Sequence, residues 1–580
     1  MVKKLFEEGK NFLYAKQTNI LSAAAIIMFM VAASRFLGLI RNRVFVHYFA
    51  PEQLDAYLAA FHLPDMLFEY LSLGVMSSAF IPIFGRYLGK GDKKEAWRVA
   101  SVTVTILLLF FTIISVLIFI FAEPFYQLIA QGFTPEKIAI TVTFTRWLLV
   151  AQMFFVVSYL LTAVLEAHQR FLVSQTAPVL YNVGILVTTI LFAPTLGMMA
   201  PVLGVILGSF LHLAIQLPIA LNLGFRPKLL LNFKDPVIRD ISKLAIPRVV
   251  ELTFFQIKRS VDLFTASLIA GGITYFKFGD SLASLPIALF GLSIAKASFP
   301  QMALQSGKNI ELFKQTFISS FKEILFLVVP TTIFLAVLRL PLVRLAFGAQ
   351  YFDWQDTLDT GYVVSAFCLG GFAYALSLLL NRGFYALQDT ATPVKVSIFT
   401  IFLNAVLGIL FVVGFKLPIW SLALAYSIAG IVQVIILYAL FARRVGGFAD
   451  YKIGQVFVKI ILAAGVSGLL MYILLKVLDR SAWDQKLSFF RHIGLSLPTT
   501  FDLFVLDTRY TVNLVAVTFL VALFGFLLYL ALSYILKIEE LQLVVRALRK
   551  VSRNRLPAFL KEAERQDAEP IAPNPHSNGS

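Results

Sequence analysis

Apolar runs of about twenty residues recur along the whole chain, separated by short polar breaks. At 1.5 Å per helical residue, such a run crosses a hydrocarbon layer ~30 Å thick. The pattern predicts about fourteen membrane-spanning helices. They fall at 19–40, 63–88, 98–122, 139–165, 174–194, 198–222, 240–269, 274–302, 317–339, 361–385, 393–414, 418–442, 455–477 and 511–537. Breaks after even-numbered spans are basic, as in GRYLGKGDKKEAWR (85–98) and NLGFRPKLLLNFKDPVIRD (222–240). Breaks after odd-numbered spans, such as APTLG and FKLP, are mostly poorer in Lys and Arg. Cytoplasmic loops are the basic ones, so both termini are expected on the cytoplasmic side.

This divides the chain into a cytoplasmic segment (1–18), a first lobe of six spans (19–222), a cytoplasmic linker (223–239) and a second lobe of six spans (240–442). Spans thirteen and fourteen follow (443–537), with a long outer loop at 478–510. A basic cytoplasmic tail (538–580) has apolar residues at Leu541, Val544, Val545, Leu548 and Val551, a spacing that suits an amphipathic helix, and a polar, disordered end. Two stretches share a pattern: EAHQRFLVSQTAPVLYNVGIL (166–186) and RGFYALQDTATPVKVSIFTIFLNAVLGIL (382–410). Each turns through a polar stretch, starts a helix around a Pro and reaches an Asn before GIL. Duplicated halves suit a transporter with its site between them.

Composition sharpens the class. Of 580 residues, 59% are hydrophobic and 14% charged, and mean hydropathy is +0.81. Soluble domains carry about 25% charged residues. The net charge of +17 follows from basic cytoplasmic loops and does not require nucleic acid. One cysteine, Cys368, excludes a disulfide framework, and the six histidines show no metal-ligand spacing. No GxxxxGK[ST] is present, and GRYLGKG (85–91) has the wrong spacing. Nucleotide-driven pumping by this chain is not expected, nor is a cofactor. Energy is expected from the membrane potential or an ion gradient such as Na⁺.

Charges inside the apolar runs mark candidate sites, because a charge at membrane depth costs roughly 3 kcal/mol on insertion scales. Arg35 lies in the first span and Arg41 at its end, six residues and about 120° apart, so both can line only a wide cavity. Arg43 is expected to snorkel to the headgroups. Asp65 and Glu69 share a face of the second span. They counter the arginines, carry protons or form an interfacial acidic patch. In the seventh span Asp262 can pair with Lys258 or Arg259, as a self-neutralising cluster or with one cation facing a cavity. Asp262 and Asn404 are the candidate cation-coupling residues. Lys277, Asp280, Pro286 and Lys296 fall in or near an eighth span that is expected to bend.

Several segments resemble the MurJ/MviN family of lipid II flippases, in the multidrug/oligosaccharidyl-lipid/polysaccharide exporter superfamily. They are SRFLGLIRNRVFVHYFAPEQLDAYLAAFHLPDML (34–67), SSAFIPIF (77–84), AHQRFLVSQTAPVLYNVGI (167–185), SLPIALFGLSIAKASFPQM (284–302) and RGFYALQDTATP (382–393). The resemblance spans about 19–475 in one order. It implies an all-α polytopic protein of the bacterial inner membrane, with two pseudo-symmetric lobes around a central cavity. It also implies a transporter, not an enzyme, that moves lipid II from the inner to the outer leaflet by alternating access. By position Ser34, Arg35, Arg41 and Asp55 match the family's motif, and the arginines would engage the pyrophosphate. The chain departs from the family at Phe68 and Glu69, where basic residues are usual, and at Ser281, where an Arg follows the Asp. Lys258, Arg259 or Lys277 are the cations available as replacements. Lipid II and membrane lipids are thus the expected partners. The other classes left open are a flippase for another polyprenyl-linked glycan, a related antiporter, a membrane glycosyltransferase and an envelope scaffold.

Overall fold

The computed structural model describes residues 20–480 and 505–542, apart from Pro227, Leu229, Phe233 and Lys234. Those residues are nearly all helical, and the one β-bridge among them joins Asp479 and Leu506. The helices are α1 (Ile20–Tyr48), α2 (Pro51–Gly89), α3 (Lys93–Ile129), α4 (Pro135–Ala167), α5 (Phe171–Leu196), α6 (Met199–Asn222) and α7 (Pro236–Ser267). After a left-handed Gly271 come α8 (Gly272–Ala283), α9 (Ile287–Ser306), α10 (Ile310–Val337), the short α11 (Arg339–Phe347) and α12 (Trp354–Ala386). The last are α13 (Ala391–Gly414), α14 (Trp420–Val445), α15 (Ile453–Leu478) and α16 (Thr511–Ile535).

Twelve of these helices are long and apolar enough to cross a membrane. Two others, α1 with 29 residues and α7 with 32, carry the arginines and the Lys258–Asp262 cluster. With them the series reaches fourteen long helices in the expected order. The helices overrun the apolar runs at both ends. Charged first turns are capped rather than excluded: Asp92 accepts from the Glu95 N–H at 3.0 Å, and Asn309 from Glu311 and Leu312. The largest difference is α2, which begins at Pro51 rather than near residue 63. Pro51 has no N–H to lose at a helix start, and the Gln53 side chain accepts from the Ala50 N–H. Asp55 therefore stands on a helix and not in a loop. The expected bend of the eighth span lies between Ala283 and Ile287, around Pro286. The nine-residue α11 was not expected. Most of the long loop, the N-terminal segment and the amphipathic part of the tail lie outside the described residues.

Packing falls into two groups. In the first, α5 and α6 approach closely because Gly184, Gly204 and Gly208 carry no Cβ; one built on Gly184 would lie 2.6 Å from the Gly208 Cα. Helix α1 packs on α5, and α4 on α6. In the second, α12 is the central helix and contacts α10 and α14, with α15 and α16 outside them. The halves meet where α2 packs against α7 and α8. The middle of α2, Tyr70–Phe80, is wound as a π-helix, a form that recurs at functional sites.

Candidate functional site

Helix α2 is tied to the second half at two levels. At its start the Asp55 carboxylate is fully buried. It accepts from the Thr274 N–H and Oγ1, both at 2.9 Å, and from Lys137 Nζ of α4 at 3.3 Å. Thr274 Oγ1 also reaches the Pro51 carbonyl at 2.9 Å. Nearby, the Arg43 guanidinium donates to the Leu345 carbonyl of α11 at 2.5 Å, and the Tyr351 N–H to the Val46 carbonyl at 3.0 Å. Arg43 thus joins the two halves, where snorkelling was expected. At this end of the bundle the Asp55 carboxylate is buried and hydrogen-bonded, while its partner Lys137 stays 21% exposed.

Fourteen residues further along α2, Glu69 accepts from Arg259 Nη1 at 2.5 Å and from Gln256 Nε2 at 2.7 Å, both on α7. His62 Nε2 lies 2.9 Å from Ser260 Oγ, and Tyr70 OH 3.2 Å from Thr253 Oγ1. These antiparallel pairs form a polar seam. A cavity opens beside it, lined by His62, Asp65, Arg259, Asp262, Phe276 and Lys277 among others. A second cavity, about 350 Å³, lies between α7, α12, α13 and α14, with Lys258, Tyr374, Asn381, Thr400, Asn404 and Tyr426 in its wall. A third, on the other side of Asp65, is an aromatic box of Phe61, Phe68, Phe155, Tyr159 and Tyr181 with His212.

The predicted residues separate across this map. Arg41 donates from Nη1 to Asn182 Oδ1 at 3.1 Å, and Asn182 Nδ2 in turn reaches Ser34 Oγ at 3.2 Å. Ser34 and Arg41, seven residues apart, thus face α5 together. Arg35, about 100° round the helix from Ser34, is exposed and has no ion pair or hydrogen bond among the described residues. The two arginines do not converge. Lys258 Nζ lies 2.5 Å from Asp262 Oδ2 and 4.9 Å from the Tyr426 ring centre. Arg259 is held by Glu69. Asp262 lines the seam cavity and Asn404 the second cavity, so the two do not line one site. Both amide atoms of Asn404 are buried with no hydrogen-bond partner among the described residues.

Lys277 is exposed to the seam cavity and has no acid partner among the described residues. Three cations (Lys258, Arg259, Lys277) stand with four carboxylates (Asp65, Glu69, Asp262, Asp280), so the cavity region is close to charge balance. An anion entering here must compete with carboxylates already in place. Sequence reading did not find Asn182, His62 or Lys137 as partners. All three meet their partners across more than 80 positions of chain, which no local spacing reports.

A family model described as lipid II flippase MurJ matches residues 46–493. The chain belongs to the MurJ family. A probable lipid II flippase MurJ of Haemophilus influenzae is 27% identical over 80% of this chain and 94% of its own length. Its counterpart in Borreliella burgdorferi is 24% identical over 84% and 95%. Among solved structures, a lipid II flippase MurJ in an inward closed conformation superposes with a TM-score of 0.70 at 23% identity, covering 88% of this chain and 98% of that one. An inward-facing multidrug-resistance transporter of the MATE family superposes at 0.62 and 15% identity, over 71% and 94%. Both share the fold. Glu69, where the resemblance led one to expect a basic residue, is paired with Arg259. Ser281 donates its hydroxyl to the Phe278 carbonyl at 2.7 Å.

Proposed function

We propose that the protein is a flippase of the bacterial inner membrane, with both termini cytoplasmic. It moves lipid II, an undecaprenyl-diphosphate-linked saccharide, from the inner to the outer leaflet by alternating access. The observation that carries this reading is the seam cavity between the halves of a MurJ-family fold, edged by Arg259 and Lys277. The diphosphate enters as a competitor. It takes Arg259 from Glu69 by a bidentate, charge-assisted contact, and Lys277 adds a second cation. Losing Glu69 loosens α2 from α7, so substrate binding itself opens the seam. Asp55 keeps the opposite end closed meanwhile. Arg41, held by Asn182 at the α1–α5 contact, orients the helix that carries Arg35 and is available to the anion as it moves along α1.

The membrane potential is the favoured energy source, supplying about 2.3 kcal/mol per charge per 100 mV. A Na⁺ site at Asp262 and Asn404 is less favoured, because Lys258 already holds Asp262 and the two residues line different cavities. The decisive experiment is a leaflet-accessibility assay for lipid II in cells where this protein is the only candidate flippase. Export is expected with the native chain and is lost in Arg259→Ala and Arg41→Ala. Lipid II that stays in the inner leaflet despite native protein would refute the flippase reading. Normal export by Arg259→Ala would refute the competition mechanism alone.

A further inference from the structure

The end of the bundle that carries Asp55 has another cavity, away from the seam. It opens between α11, the start of α12, the end of α15 and the start of α16. Arg339, Arg344, Trp354, Lys476, Asp479 and Arg509 line it. Most of its cations lack the carboxylate partners that Lys258 and Arg259 have at the seam. Arg339, Arg344 and Lys476 have no ion pair among the described residues. Arg339 Nη1 donates to the Ala336 carbonyl at 3.0 Å, while its Nε is buried with no hydrogen-bond partner among the described residues. Arg509 pairs with Asp507 at 3.2 Å but is 71% exposed. Among the described residues Asp479 is the one carboxylate in the wall, and it accepts from Thr508 Oγ1 at 2.7 Å. Half-buried cations without counter-ions repel one another in a low-dielectric setting, and an anion of the right size relieves that cost.

The rest of the wall suits a lipid rather than a soluble anion. Arg344 lies over the Trp354 ring at 5.8 Å, Arg339 over Tyr362 at 6.0 Å and Lys476 over Tyr472 at 5.7 Å. Aromatic rings beside cations are the residues of a membrane interface. Val337, Leu340, Pro341, Leu475 and Leu514 form its apolar floor, backed by the buried Leu338, Met471, Val517 and Val521. Leu470, Ile473 and Val515 beside it are exposed, so the floor runs on to a lipid-facing surface. The rim is fixed in place by the Asp479–Leu506 bridge, where Arg480 N–H donates to the Leu506 carbonyl at 3.0 Å and Leu506 N–H to that of Leu478 at 2.9 Å.

We propose that this pocket binds the phosphate of an anionic lipid in the outer leaflet, with Arg339, Arg344 and Lys476 as its ligands and the apolar floor under its chain. The leaflet rests on the loop-charge orientation; the binding does not rest on the transport reading. A resident phospholipid and a polyprenyl diphosphate present the same chemistry. The test titrates full-length purified protein in detergent with short-chain phosphatidylglycerol, phosphatidylcholine, undecaprenyl diphosphate and inorganic phosphate. Binding is read from Trp354 fluorescence, with Trp354→Phe as the blank. Saturable binding of phosphatidylglycerol or undecaprenyl diphosphate, and much weaker binding of phosphatidylcholine, is expected. Which anionic lipid binds tighter identifies the source. Arg344→Gln with Lys476→Gln should weaken it about thirtyfold, at roughly fivefold per charge. Arg344→Lys, which keeps the charge, should retain most of it and guards against misfolding. Equal binding of phosphatidylcholine, or an unchanged affinity in the double variant, overturns the proposal. So does inorganic phosphate binding as tightly as the lipids.

Discussion

Asp55 and Glu69 stand on the same helix and both join it to the second half, yet they are built differently. Asp55 is dry, and its oxygens are taken by Thr274 and Lys137. Glu69 holds its partner by a short contact whose Arg259 side chain is 43% exposed. A saturated, buried contact gives way only at high cost, because each group left behind is an unpaired buried charge or donor. A wet contact exchanges partners at little cost. The difference makes the Asp55 end a pivot and the Glu69 seam a latch.

The largest effect should come from breaking the pivot. Asp55→Ala strands the Thr274 N–H and the Lys137 ammonium, and is expected to cost about 3 kcal/mol or more. Thermal unfolding of the purified protein measures it, and adding Lys137→Ala should recover part of the loss. An Asp55→Ala protein as stable as the native one would erase the distinction between the two ends. Next comes Asn404, whose unpartnered amide is as unsaturated as Asp55 is saturated. Asn404→Leu is expected to raise stability by about 1 kcal/mol, since the cost of an unmet buried polar group disappears. A marked fall in stability would show that the amide has a partner in the working protein.

At the latch, Glu69→Gln should change stability by less than about 1 kcal/mol. It should also tighten the binding of undecaprenyl diphosphate by up to about fivefold, because the anion no longer competes for Arg259. Weaker binding in this variant would mean that Glu69 assists the substrate and does not compete with it.

The contrast between pivot and latch also marks what the sequence made legible. Span order and room for a bend near Pro286 follow from hydropathy and a proline, both local signals; the i,i+3 and i,i+4 spacings left Asp262 open to Arg259 or Lys258, and the structure chooses Lys258 because Glu69 takes Arg259. The early start of α2 was hidden, because PEQLDAY is polar by composition and helical by capping. Asp55 stood in a recognisable motif, but its partners Lys137 and Thr274 are 82 and 219 residues away. The split between Arg35 and Arg41 was half legible. Their angle on α1 was readable, but which face meets α5 depends on Asn182.

The smallest effect concerns a third tie, on the linker side, where Arg98 of α3 pairs with Asp235, the cap of α7. The hydrogen bond from Arg98 holds the Asp235 carboxyl below its ordinary 3.8, helped by the Val237 N–H. A depressed carboxyl stabilises the folded state above its unfolded pKa, and that contribution is lost as pH falls through the folded value. Arg98→Gln should therefore lower stability by a constant amount of about 1 kcal/mol or less from roughly pH 8 to pH 5. Below about pH 4 the gap between native and variant proteins should narrow, and it is lost as pH falls through the depressed native value and Asp235 takes up its proton in both. Unfolding midpoints measured across that range decide the point. A gap that does not narrow at all as pH falls below 4 would place the stabilisation in packing of the Arg98 stem, and would leave the linker side without an electrostatic tie to set beside the pivot and the latch.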